Sequence, residues 1–335
     1  TDITLRSILI KVFYVISVFI FVRDTSDYRL YFILTVGVVV LNAFINQLYI
    51  RKFVRIRWCN IQLFKYIKPN ITLGIYTLMS SMYLTFNVMY LGLVSDNTEV
   101  GYYTTAFKLY SVLLGFFTAF TSVMLPRMSS LLANGENARF QELVDRSCSV
   151  VATFCIPLIL YGIILAPQII YTLSGPEYEG AIFPMRIIMP AAFAVGMAQV
   201  LAIQILMPMK KDRVLLMASI IGAIVSLLIN LLVVPYVASV GSAVVLLCSE
   251  MVVAATYVVY VLSHRLARIP IRIVWENICY SLPGALVCWG CSRWIENEFV
   301  VVVCAVILAG TVWIIVQVIA KTSVCLLYTS PSPRD

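Results

Sequence analysis

Three charged residues and four polar ones stand inside long apolar runs of this sequence: Lys108, Arg186 and Glu250, with Asn87, Gln199, Gln204 and Asn230. A charge in such surroundings is costly, so each needs a reason. Lys and Arg attract anionic oxygens, Arg through a bidentate fork and Lys as a point charge. Glu250 can pair with a cation or take up a proton or Na⁺. The amides Gln199, Gln204, Asn42 and Asn46 are residue types that join helices by hydrogen bonds more often than they bind ligands. His264 is the single histidine of the sequence, which leaves no material for a histidine metal site or a triad. The nine cysteines lie mostly in apolar runs and read as small apolar fillers. Cys288-Trp-Gly-Cys291 has CxxC spacing, but it falls in a predicted lipid-facing helix with no βαβ pattern beside it. Neither a catalytic residue nor a metal is therefore expected.

The elements that must position these residues follow from composition. Of 335 residues, 61% are apolar and 12% charged, against about 45–50% and about a quarter in a soluble domain. That balance excludes a soluble enzyme, a nucleic-acid-binding module and a disordered tail. A helix crossing the hydrocarbon core needs about 20 mostly apolar residues. On that template the sequence holds ten candidates, at 7–22, 28–50, 71–94, 101–126, 147–173, 181–207, 214–234, 241–262, 278–294 and 299–320. Runs of this length are not the alternating segments of a membrane β-barrel. The predicted fold class is an all-α polytopic membrane protein.

The net charge of +8 is distributed by side. Arg51, Lys52, Arg55, Arg57, Lys65 and Lys68 follow the second span; Arg127, Arg139 and Arg146, then Lys210, Lys211 and Arg213, then Arg265, Arg268 and Arg272 fill every second connection after it. The intervening loops hold Asp96 and Glu99, Glu177 and Glu179, and Glu296 and Glu298. The positive-inside rule makes the basic side cytoplasmic and puts both ends of this chain there. The outer loops are too short for the extramembrane constellation of a glycosyltransferase, ligase or polymerase. Residues 60–69, with Ile61, Phe64 and Ile67 on one stripe beside Lys65 and Lys68, suit a helix lying on the cytoplasmic leaflet, or a solvated linker. Asn134-Gly135 breaks residues 127–146 into a helix–turn–helix connection. The sequence opens at Thr1 with no signal peptide, and residues 325–335 break from the helical pattern and read as a non-native tail.

Counting ~1.5 Å per helical residue puts Lys108 and Asn87 ~10 Å, Glu250 ~14 Å and Arg186 ~8 Å below the outer ends of their helices. Four polar residues on four helices thus share one slab. Either they line a common cavity, or Lys108 and Glu250 form a packing pair and Arg186 snorkels to the interface. Prolines 157, 167, 184 and 190 are expected to kink the fifth and sixth spans, for a rocking motion or for static curvature.

The stretch 83–136 resembles polysaccharide-biosynthesis flippases, the Wzx-type O-antigen transporters of the multidrug/oligosaccharidyl-lipid/polysaccharide exporter superfamily. The pieces that carry the resemblance are Leu91-Gly92 before an acidic loop, Val100-Gly-Tyr-Tyr103, Ala106-Phe-Lys108 and Leu125-Pro-Arg-Met-Ser129. Gln204 to Pro208, Asn230 to Pro235 and the Ser249-Glu250 pair add to them, and the similarity extends over residues 1–320. It implies a 12–14-helix fold of two bundles around a central cavity, with four helices preceding this stretch. Residues 1–52 would then be the last two helices of the first bundle, 53–70 the linker, 71–262 the six-helix second bundle and 263–324 two additional helices. The resemblance also implies an acidic residue where Asn87 stands, so an ion coupled through that position elsewhere cannot be held here in the same way.

The function so implied is the flipping of undecaprenyl-diphosphate-linked oligosaccharide across the bacterial inner membrane by alternating access, with no bond made or broken. Lys108, Arg186, Glu250, Asn87, Gln199, Gln204 and Asn230 are the cavity candidates. The partners are the lipid-linked oligosaccharide, membrane lipids and glycan polymerases or glycosyltransferases, with no nucleic acid; no cofactor is expected beyond H⁺ or Na⁺ as coupling ion. A multidrug or murein-precursor exporter is the alternative within the superfamily, and an acidic, aromatic cavity would mark the drug exporter. A membrane-embedded glycan polymerase or ligase, or a purely structural subunit, are more remote alternatives.

Overall fold

The computed structural model describes residues 2–23, 27–50 and 63–320, and every regular element among them is helical. The chain divides into two compact units, Thr1–Lys65 and Tyr66–Asp335. The first holds α1 (Asp2–Phe21) and α2 (Tyr28–Ile50). Two polar contacts tie this pair together: Tyr14 and Thr35 share a hydroxyl hydrogen bond of 3.0 Å, and Ser7 Oγ donates to Asn42 Oδ1 at 3.4 Å. Asn46 donates to the same Asn42 oxygen at 3.2 Å from within α2, so Asn42 joins the two helices as its residue type leads one to expect, and Asn46 supports it from one turn away. Ile61 and the tail 325–335 lie outside the described residues.

The second unit runs through α3 (Leu63–Ser81), a π-helical turn (Met82–Phe86), α4 (Asn87–Val94), α5 (Asn97–Ala133), α6 (Asn137–Ile164), α7 (Ala166–Ser174), a 3-10 turn (Pro176–Ala181), α8 (Ile182–Gln199), a second π-helical turn (Val200–Leu206), α9 (Asp212–Ser263), α10 (Arg272–Trp294) and α11 (Glu298–Ile319). Seven helical stretches among the described residues are long and apolar enough to cross a membrane. One of the seven is α9, whose 52 residues would extend ~78 Å if straight, more than twice a ~30 Å hydrocarbon core. It is not straight. Ala238 takes φ 43°, ψ −118°, a conformation L-residues rarely adopt. There the chain folds back so tightly that a Cβ on Gly241 would stand 2.9 Å from the Val234 Cα. Glu99 holds the fold-back, its Oε2 accepting the Ser239 N–H at 3.0 Å. The spans 214–234 and 241–262 are therefore two separate passes, and the ten sequence spans fall on helical segments, with 71–94, 147–173 and 181–207 each running over more than one of them.

The prolines differ in whether they end a helix. α6 and α8 run on through Pro157 and Pro190. The break between α6 and α7 sits at Leu165, φ −87°, ψ 9°, just before Pro167. α8 departs from α geometry only after Gln199, in its π-turn. The helix–turn–helix at 134–135 is present, with Gly135 at φ 74° between α5 and α6. Cys288 and Cys291 are unbonded and buried against Leu165 and Ala305, not facing lipid as the sequence pattern had it.

Candidate functional site

Three faces of α5 organise the second unit. Tyr103, Ala106, Tyr110, Phe117, Thr121 and Met128 are buried. At 100° per residue these fall on one stripe. Lys108, Ser111, Gly115, Thr118 and Ser122, all exposed, form a second stripe. Val112, Phe116 and Val123, exposed at 71%, 49% and 77%, form a third. Apolar side chains suit contact with lipid tails. Ser111, Thr118 and Ser122 already donate to carbonyls of their own helix, at 2.6, 2.9 and 2.6 Å, whereas the Lys108 ammonium needs water or an anion, which hydrocarbon lacks.

That geometry decides the question of Lys108 and Glu250. Lys108 lies two residues from Tyr110 and hence about 160° around the helix from it. Glu250 sits on the Tyr110 side, 6% exposed, where the Tyr110 hydroxyl reaches its Oε1 at 3.5 Å. No ion pair joins Lys108 to Glu250; the salt bridges of the described residues are Arg139–Glu136, Arg146–Glu142 and Arg272–Glu276. The packing pair considered from the sequence does not form, because depth was matched and helix face was not.

Glu250 instead closes a cavity of about 270 Å³ with Tyr76, Tyr83, Tyr257, Thr118 and Gln199 around it. Gln199 is fixed at its rim: Oε1 accepts from Thr121 Oγ1 at 3.3 Å, and Nε2 donates to Thr118 Oγ1 at 3.1 Å. Thr118 belongs to the exposed polar stripe, so the cavity opens where that stripe passes. A larger cavity of about 320 Å³, lined by residues such as Phe154, Cys288 and Trp313, contains no charged group.

The remaining candidates lie elsewhere. Arg186 is exposed and its Nε donates to the Ile163 carbonyl at 3.1 Å. That carbonyl lacks its helical partner because the residue four ahead, Pro167, has no N–H; Arg186 satisfies it and so secures the α6–α7 break. Asn87 is fully buried and donates to the Tyr103 hydroxyl at 3.1 Å and the Ser242 carbonyl at 3.0 Å. A carboxylate could donate to neither, which gives a physical reason for an amide at this position. Asn230, also buried, bonds back to the Ser226 carbonyl at 3.0 Å. Gln204, in the second π-turn, is buried with neither side-chain polar atom paired. Of the seven candidates, only Glu250 and Gln199 line the polar cavity.

The tyrosines were missed from the sequence, yet a signal existed. Tyr76 and Tyr83, Tyr103 and Tyr110, and Glu250 and Tyr257 are each seven apart. Seven residues are two helical turns, so each pair shares a face.

This geometry defines a class: a polytopic α-helical membrane protein with an exposed polar face and a cavity in its second unit. Comparison with known proteins narrows it. Residues 1–132 match the family model described as polysaccharide biosynthesis protein. Over 272 residues the chain is 26% identical to the "Putative O-antigen transporter" of Escherichia coli (strain K12), covering 78% of this chain and 64% of that protein. The lipid II flippase MurJ in an inward closed conformation shares the fold, with a TM-score of 0.70 at 13% identity over 88% of this chain and 63% of that one. The chain thus spans just under two thirds of the length of the relatives it matches. The resemblance to Wzx-type polysaccharide flippases read from the sequence is borne out.

Proposed function

We propose that the intact protein is a flippase that moves undecaprenyl-diphosphate-linked oligosaccharide from the inner to the outer leaflet of a bacterial cytoplasmic membrane. The observation that carries this reading is the exposed stripe of Lys108, Ser111, Thr118 and Ser122 on a membrane-crossing helix. Lipid tails offer the ammonium nothing, whereas a diphosphate matches it as an anion; the hydroxyls, their protons held by the helix, keep lone pairs that accept from sugar hydroxyls. The matches to polysaccharide-biosynthesis and O-antigen proteins support the same substrate class. Transport is by alternating access, with the basic connections and both ends of this chain on the cytoplasmic side, and no bond is broken. Lys108 contacts the diphosphate; Arg186 and Asn87 hold the bundle that presents it.

One observation favours a second reading. The Glu250 cavity is acidic and aromatic and contains neither Lys108 nor Arg186, the pattern that would mark export of a cationic drug. Expression of the intact protein in a strain lacking its own O-antigen flippase separates the readings. Restored surface glycan is the expected result. Failure to restore it across several matched glycan pathways, with resistance to cationic dyes gained instead, would refute the flippase reading. Rescue of a strain depleted of its murein-precursor flippase would move the substrate to that lipid.

A further inference from the structure

We infer that the Glu250 cavity is a sugar subsite, taking one or two pyranose rings of the transported glycan while the diphosphate lies along the stripe at Lys108. This rests on the flippase reading above.

Size argues first. At about 270 Å³ the cavity falls just below the roughly 300–1,000 Å³ of drug-sized ligand sites, and suits a smaller, polar ring system. Chemistry argues next. The tyrosines at 76, 83 and 257 contribute aromatic lining, and aromatic rings pack well against the C–H faces of a sugar. Between them stand acceptors and donors in fixed positions. The Tyr110 hydroxyl, at a marginal 3.5 Å, is the hydrogen-bond partner found for the Glu250 carboxyl, and a carboxyl has about four acceptor sites. Sugar hydroxyls are the donors that would fill them. Gln199 uses one amide hydrogen on Thr118 and keeps the second for a ligand. An organic cation would satisfy the carboxyl and the rings but would leave Gln199 unmatched. Place argues last. Lys108 and Thr118 lie ten residues apart on one exposed stripe of α5, ~15 Å along the helix. A diphosphate at the first and a short glycan turning into the cavity at the second can bridge that separation.

The test uses the intact protein in lipid nanodiscs and four probes: undecaprenyl diphosphate bare, and the same lipid bearing a linear trisaccharide of glucose, galactose or N-acetylglucosamine, long enough to reach from the Lys108 level to the cavity. At least one sugar-bearing lipid is expected to bind tenfold or more tighter than the bare lipid. Gln199→Ala and the isosteric Glu250→Gln are each expected to cut that preference to threefold or less, while Val112→Ala, on the apolar stripe, keeps it. Equal affinity for all four lipids in the unaltered protein would overturn the subsite and leave the flippase reading standing. Variants that weaken bare and sugar-bearing lipid by the same factor would also overturn it. Tetraphenylphosphonium binding that is lost in Glu250→Gln while the sugar preference survives would assign the cavity to cations instead. If the unaltered protein binds no lipid diphosphate, the flippase reading itself falls.

Discussion

The separation of Lys108 from Glu250 can be tested by a double-mutant cycle. The perturbations are Lys108→Ala, Glu250→Gln and both together, in the intact protein. Had the two formed a buried ion pair, removing either partner would strand a charge and cost about 3–5 kcal/mol, and the second change would cost little more, giving a coupling of several kcal/mol. The structure predicts otherwise. Lys108 is exposed and lies about 160° around α5 from Tyr110, and Glu250 meets the Tyr110 hydroxyl at 3.5 Å. Glutamine keeps the volume of Glu250 and an oxygen for Tyr110, so Glu250→Gln should shift stability by about 1 kcal/mol or less. Lys108→Ala removes an exposed side chain and should fall within about 0.5 kcal/mol. The coupling should then lie within about 0.5 kcal/mol of zero. The assay is thermal unfolding in detergent, followed by loss of the monodisperse peak and read as shifts among the four proteins at one heating rate. Single variants that each lose several degrees, with a double variant no worse than either, would refute the placement of Lys108 away from Glu250.

Two further measurements address the faces of α5 and the fold-back of α9. Single cysteines at Ser111, Thr118 and Ser122 should react with a membrane-impermeant maleimide at least tenfold faster than cysteines at Val112, Phe116 and Val123, above the background of the native cysteines. Equal slow reaction on both stripes would mean that the polar stripe meets no water. Gly241→Ala should destabilise by about 1–3 kcal/mol, because its Cβ would meet the Val234 backbone at 2.9 Å and backbone cannot turn aside. Gly290→Ala, with nothing within 4 Å, should be neutral or stabilising by up to about 1 kcal/mol. Thermal unfolding of both variants compares the two sites, and equal stability would sink the tight-turn account.

Much of the scaffold was legible because membrane insertion is decided by local quantities. Twenty apolar residues in a row, and basic residues on alternate connections, are properties of short windows, and a helix satisfies its backbone within itself. Even the split of α9 was legible as two spans, although helical geometry continues on both sides of the single turn residue Ala238. Proline was the weaker guide. Its missing N–H removes one hydrogen bond, and whether a helix then breaks depends on what neighbours offer: Arg186 supplies a donor to the Ile163 carbonyl, a partner 23 residues away that no window contains.

The site was half legible for a related reason. Depth follows from counting along one helix, and it set Lys108 and Glu250 at comparable levels. Facing requires knowing which stripe of each helix is buried, and that is settled by packing between α5, α8 and α9. The information was nonetheless partly present. Once Tyr103 and Tyr110 are taken as one face by their spacing of seven, Lys108 cannot share it, since two residues turn a helix by about 200°. Likewise Glu250 and Tyr257 must look the same way. A carboxyl aligned with tyrosines on three helices is a chemically different proposition from a carboxyl aligned with a lysine. The first gathers hydrogen-bonding rings around an acceptor with capacity to spare, and the second neutralises itself. For intramembrane polar residues, therefore, helix phase carries more functional information than depth.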